Sequence, residues 1–141
     1  PADGVFGGTA SAVKDRHALP DGEPQHRCDL PTLPKAALIC RLSGDYNPLL
    51  ADPVYASKAG FKMPILHGRC TFGIAGHAIL KTLCAYDASR FVAMEGRFSA
   101  PVYPGETIRT EMWRNGGIVS FRSTVPARGV TVLNNGRAEI R

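Results

Sequence analysis

Between Gly68 and Cys84 the chain reads GRCTFGIAGHAILKTLC, a segment that leaves few folds open. Phe72, Gly76, Ile79 and Leu83 recur at intervals of four, three and four, the spacing that puts side chains on one face of an α-helix. Gly73, Ala75, Gly76 and Ala78 make that helix thin. Small side chains let neighbouring backbone come close, so this helix is expected to be wrapped by something curved, and a curved sheet is the natural wrapper.

Strands for such a sheet follow in the last third. Val92, Met94 and Phe98 alternate with Glu95, Arg97 and Ser99, the period-two pattern of a half-buried strand. The turn PVYPGE at 101–106 leads into TIRTEMWR at 107–114, and Asn115-Gly116-Gly117 is a hairpin signal before IVSFRSTV at 118–125. PARG at 126–129 then turns into VTVL, so the four strands are expected to form an antiparallel meander in chain order. Asn135-Gly136 is a further hairpin signal, but only five residues follow it, so one long last strand with an irregularity is expected. HRCDL at 26–30 reads as a short strand. Between these, Thr32 is expected to cap a helix with Pro34 in its first turn, an apolar stripe of Ala36, Leu38, Ile39 and Leu42, and a stop at Gly44. Asp52 is expected to cap a second helix at Pro53 that ends near Gly60. The fold class is therefore α+β, a helix packed on an antiparallel sheet.

The 141 residues suit one domain. Residues 1–25, rich in Gly, Pro, Asp and Ala with FGG at 6–8, read as a linker or N-terminal arm whose order would need an outside contact, and residues 26–141 as the domain. No apolar run approaches the roughly 20 residues of a membrane span. The charge of +5 is scattered in short clusters, which argues against a nucleic-acid partner. Cys28, Cys40, Cys70 and Cys84 form no C-x-x-C pair and share no spacing with His, so no metal site or disulfide framework is expected and all four read as reduced thiols. The chain begins PADG, with neither Met nor a leader, and is expected to be a processed product or a piece of a longer polypeptide.

Two stretches look like a site: SGDYNPLLAD at 43–52, with a carboxylate, an amide and a turn-forming Asn-Pro, and PILHGRCTFG at 64–73. Taken alone, Asp45 and Asn47 are turn residues that bond their own backbone. His67 taken alone reads as a structural, hydrogen-bonded histidine, and His77 as structural or exposed. Lys58, Lys62 and Arg69 read as solvated cations.

The whole segment SGDYNPLLADPVYASKAGFKMPILHGRCTFGIAGHAIL at 43–80 closely resembles the signature of the MaoC-like (R)-specific enoyl-CoA hydratases, or hydratase 2 family. The resemblance implies a hotdog fold, with an antiparallel sheet wrapped around a central helix at about 68–84. FGG near the start resembles the junction between repeats of double-hotdog members, so the chain resembles the second repeat alone. It implies addition of water across a trans-2-enoyl-CoA, which is the substrate; no separate cofactor is expected. Asp45 matches the catalytic aspartate, Asn47 the amide that positions water, and Gly68 the glycine whose backbone N–H meets the thioester oxygen. A helix N-terminus suits that last role. His67, Arg69 and Leu50 are the expected substrate-binding positions, Arg69 as a candidate, with Lys58 and Lys62, for the phosphates of coenzyme A. The family motif reads N-P-L-H where this chain has Leu50, so one catalytic acid-base group is replaced and weakened activity is implied. Arg69 stands where the family carries an apolar residue.

The alternative reading is a non-catalytic acyl-CoA-binding or structural hotdog subunit; a hotdog thioesterase or acyl-carrier-protein dehydratase fits the motifs less well. A homodimer or pairing with a second hotdog repeat is expected, because an open sheet edge needs covering. The location implied is cytoplasmic, or peroxisomal in a eukaryote.

Overall fold

The protein is described by a computed structural model over residues 16–141. FGG at 6–8 lies outside the described residues. Strand β1 (His26–Pro31) is followed by helices α1 (Ala36–Leu42), α2 (Pro53–Lys58) and α3 (Gly68–Leu83), then by strands β2 (Phe91–Phe98), β3 (Thr107–Asn115), β4 (Ile118–Val125) and β5 (Val130–Ile140). The strands make one antiparallel sheet in the order β1-β3-β4-β5-β2. β3, β4 and β5 form a meander. β2 does not join it beside β3, as chain order suggested, but crosses to the far edge against β5.

Helix α3 packs on this sheet. Ala75, Ala78, Ile79 and Leu83 meet Met112 from β3, Val119 and Phe121 from β4, and Leu133 and Ala138 from β5 in one buried cluster. The buried face is turned slightly from the expected stripe: Thr71, Ala75 and Ala78 are buried, whereas Phe72 and Gly76 are half-buried. Close packing thus rests on the two alanines, since a Cβ added at Gly73 would meet nothing within 4 Å. A second cluster, with Leu66, Val102, Ile108, Val125 and Val132, fills the opposite end of the sheet.

Several local expectations change. Thr32 does not cap α1; its hydroxyl accepts from the Gly105 N–H at 2.8 Å, and the N-cap is Lys35, which makes no side-chain cap bond. Only Ala37 of α1 is buried, and Leu38, Ile39 and Leu42 face outward. β2 likewise leaves Val92 and Phe98 about half exposed, because it is an edge strand. Asp52 does cap α2, accepting from the N–H groups of Val54 and Tyr55, with Pro53 in the first position.

Residues 16–25 take their order from the sheet of the same chain, where an outside contact was expected. His17 Nε2 lies 2.8 Å from Ser120 Oγ, Asn135 Nδ2 donates to the His17 carbonyl, and Trp113 Nε1 donates to the Gly22 carbonyl. Ser120 and Trp113 alternate with Phe121 and Met112 of the core, so the arm lies on the face of the sheet away from α3.

The irregularity expected in the last strand is a bulge. Phe121 pairs with Gly136 and Ser123 with Leu133, which leaves an extra residue on β5, and Asn135 takes φ 53° to absorb it. At Gly136 a Cβ would lie 2.5 Å from the Phe121 carbonyl oxygen and 2.6 Å from its ring. Backbone cannot give way cheaply there. Gly136→Ala is expected to destabilise the fold by about 3 kcal/mol, the upper part of the range for overpacking, measured by urea unfolding; a loss below about 1 kcal/mol would contradict this packing.

Candidate functional site

The chain after α1 is held by its own side chains. Gly44, at φ 101°, ends the helix. Asp45 Oδ1 then accepts from the Asn47 N–H at 3.0 Å, and Asn47 Oδ1 accepts from the Leu49 N–H at 3.1 Å, capping the 3-10 turn Pro48–Leu50. These are the bonds that Asp and Asn make in turns. They also aim the other Asp45 oxygen.

Asp45 Oδ2 lies 3.2 Å from His67 Nε2. His67 is the N-cap of α3, its Nδ1 accepting the Arg69 N–H at 3.0 Å. A neutral imidazole has one donor and one acceptor nitrogen. Because Nδ1 accepts, the ring hydrogen sits on Nε2 and points at the carboxylate. The histidine is therefore a donor that orients Asp45, with no free lone pair to act as a base.

Gly68 follows as the first residue of α3, and its N–H is one of the four that a helix leaves without an internal acceptor. Beside it opens a cavity of about 350 Å³ lined mainly by apolar groups, among them Phe61, Ile65, Leu66, Phe98 and Val102. The Phe98 ring sits so close that a Cβ at Gly68 would lie 3.2 Å from it. An aspartate held by a histidine, a helix N-terminus and an apolar cavity thus meet within one stretch of structure. The set can take a proton from water, stabilise a developing oxyanion and hold an acyl chain.

The other expected positions fall around this centre. Leu50 is buried and lines a hollow of about 200 Å³ with Ala37, Met63 and Pro104, sharing no lining residue with the Gly68 cavity. The two regions are tied by the Ile65 N–H, which donates to the Leu49 carbonyl. Arg69 is exposed and lines a third hollow, beyond Phe98, with Phe72 and Gly96. Lys62 Nζ sits 4.5 Å over the Tyr103 ring. His77 is exposed and lies 3.2 Å from the Tyr86 hydroxyl.

Cys40 was not expected here. Its sulfur, the Asp45 carboxylate and a His67 ring nitrogen all lie within 4.8 Å of one another. Five and 27 residues separate it from the other two, so no motif spacing could have found it. Cys70, in the first turn of α3, has its thiol pKa raised by burial and by the nearby Cys40 sulfur.

Residues 15–135 match the family described as MaoC like domain. The chain is 44% identical over 140 residues to peroxisomal multifunctional enzyme type 2 of Mus musculus, covering 97% of this chain and 19% of that protein. It is 48% identical over 115 residues to the peroxisomal enoyl-CoA hydratase 2 of Arabidopsis thaliana, covering 82% and 37% respectively. The crystal structure of a MaoC-like dehydratase from Phytophthora capsici superposes with a TM-score of 0.87 at 40% identity, covering 92% of this chain and 44% of that one. The chain therefore spans less than half the length of these relatives. Among the described residues, no helix is long and apolar enough to cross a membrane.

The two roles of His67 can be separated. Asn is as good an N-cap as any residue, so His67→Asn is expected to keep stability within about 0.5 kcal/mol, whereas His67→Ala should lose about 1 kcal/mol. Chemical denaturation of the two variants measures this, and equal losses would show that the cap bond contributes nothing.

Proposed function

This chain belongs to the MaoC-like domain family and has its hotdog fold, and from that premise we propose that it carries out the (R)-specific hydration of a trans-2-enoyl-CoA to the (R)-3-hydroxyacyl-CoA, and the reverse dehydration. The observation that carries the reading is the Asp45–His67 pair set at the N-terminus of α3, one residue from Gly68. Water attacks the β-carbon as Asp45 takes its proton. The alkene electron pair moves toward the thioester oxygen, where the Gly68 N–H and the helix dipole meet the charge; collapse of that enolate takes a proton from solvent water at the α-carbon, and Asp45 returns the proton it took to solvent, which completes the addition. His67 holds the carboxylate, and Asn47 keeps its side-chain N–H₂ for the water while its oxygen caps the turn. The addition is redox-neutral, so this reading invokes no cofactor beyond the coenzyme A of the substrate.

The missing group is the second proton carrier. His67 is committed as a donor to Asp45 and as an acceptor to the helix, so it orients without replacing the family histidine at the Leu50 position. We read the chain as a slow hydratase for that reason. Leu50 is also what favours the second reading, a domain that binds acyl-CoA without turning it over.

One set of assays distinguishes them. On a medium-chain trans-2-enoyl-CoA the protein is expected to turn over slowly, Asp45→Ala to abolish turnover while leaving ligand binding in calorimetry, and Leu50→His to raise the rate by at least about tenfold, inside the range of 10² to 10⁴ for one positioned acid-base group. Binding with no turnover in either the parent or Leu50→His supports the non-catalytic reading. A Leu50→His rate equal to a measurable parent rate would show that position 50 serves its apolar hollow and not the reactive centre.

Pairing belongs to the same proposal. β2 is a sheet edge with Val92 and Phe98 exposed, and α1 adds Leu38, Ile39 and Leu42. The chain covers only 19% of one relative, a protein named as a multifunctional enzyme. We assign a second hotdog unit, another copy or a sister repeat, to the β2 edge. Sedimentation at about tens of micromolar is expected to show a dimer, and a monomer would overturn self-pairing. In a eukaryotic host the relatives' names support a peroxisomal location, which cell fractionation away from peroxisomal markers would refute.

A further inference from the structure

Three side chains of different donor chemistry converge from three places in the chain. Cys40 lies near the end of α1, Asp45 in the turn that follows, and His67 at the cap of α3, and sulfur, oxygen and nitrogen stand within 4.8 Å of one another. We propose that Cys40, Asp45 and His67 form a zinc-binding site, and that an ion held there shuts down the carboxylate on which hydration depends. The binding stands on these residues alone; the inhibition rests on the function proposed above.

Thiolate, imidazole and carboxylate are the ligands zinc takes. At bond lengths of about 2.0 to 2.3 Å in a tetrahedral site, ligand atoms stand roughly 3.3 to 3.7 Å apart. Asp45 Oδ2 and His67 Nε2, at 3.2 Å, are already at a chelating separation. The Cys40 sulfur has to close by at most about 1.5 Å, a movement on the scale of a side-chain rotation. All three residues are half-buried, so an ion can reach them from solvent, and with three protein ligands a tetrahedral zinc would take its fourth from water. The neighbouring cations point elsewhere: Arg41 lies over the Tyr46 ring and reaches the Tyr46 carbonyl, and Arg69 lines the hollow beyond Phe98.

The proton balance is explicit. Cys40 binds as thiolate and releases one proton to solvent. His67 gives the Nε2 lone pair to the metal, so its hydrogen moves to Nδ1, and the Arg69 N–H exchanges its cap acceptor for water. Binding therefore sacrifices one capping bond at the helix end where the thioester oxygen would sit. Asp45 loses the oxygen that faces His67, and with it the freedom to take a proton from water.

Cobalt(II) is the probe for the binding half, because a thiolate ligand gives a near-ultraviolet charge-transfer band and a tetrahedral site gives strong visible bands. The protein is expected to take up one cobalt ion with both features, to give it up to zinc, to lose the charge-transfer band in Cys40→Ser, and to bind zinc at least about tenfold more weakly in Asp45→Asn and His67→Asn. No charge-transfer band in the parent protein, or an undiminished one in Cys40→Ser, overturns the site; thermal unfolding of that variant establishes that it is folded. In the hydration assay zinc is expected to suppress turnover reversibly with a chelator, and Cys40→Ser to need at least about tenfold more zinc. Zinc bound through these residues with turnover unaffected overturns the inhibitory half and shows that Asp45 is not the base, whereas absent binding overturns the inference whatever the enzyme does.

Discussion

Ala75 and Ala78 leave so little bulk on one side of α3 that Met112, Phe121 and Leu133 reach the helix from three adjacent strands. Burying side chains of this size is worth roughly 1.5 to 3 kcal/mol each, and the contacts fix both the axis and the rotation of the helix. A helix held this way has a fixed N-terminus. Gly68, the His67 cap and the Phe98 ring above them are placed by that packing, far from the residues that achieve it.

The site adds a second layer of order made from local bonds. Asp45 and Asn47 each satisfy a turn N–H with one oxygen, and His67 satisfies a helix N–H with one nitrogen. Each side chain is thereby oriented by the fold itself, the preorganisation that the proposed hydration would draw on. The same economy limits the chemistry, because a nitrogen committed to the helix is unavailable as a base. One residue cannot serve fully as cap, orienter and proton carrier.

The elements at the margin of the core have a different character. α1 buries only Ala37, and β2 shows the exposure of an edge. Apolar groups left outside in this number suit a surface that is covered by another unit. Their pattern in the chain looked like an ordinary core stripe, since periodicity reports that one face differs from another and says nothing about what that face meets.

The sequence by itself determined the α+β class, the central helix, the Asp52 cap, an irregularity in the last strand and the family signature at 43–80, because each is carried by local pattern or turn residues. It did not determine that Thr32 would bond Gly105, that β2 would pair with β5, or that residues 16–25 would lie along the sheet. Those outcomes join groups tens of residues apart, and no local propensity distinguishes the partners. The site divides the same way. Asp45, Asn47 and Gly68 were legible as a motif, while the hydrogen of His67, the separate hollow around Leu50 and the arrival of Cys40 beside both were decided only when α1 and α3 came together in space.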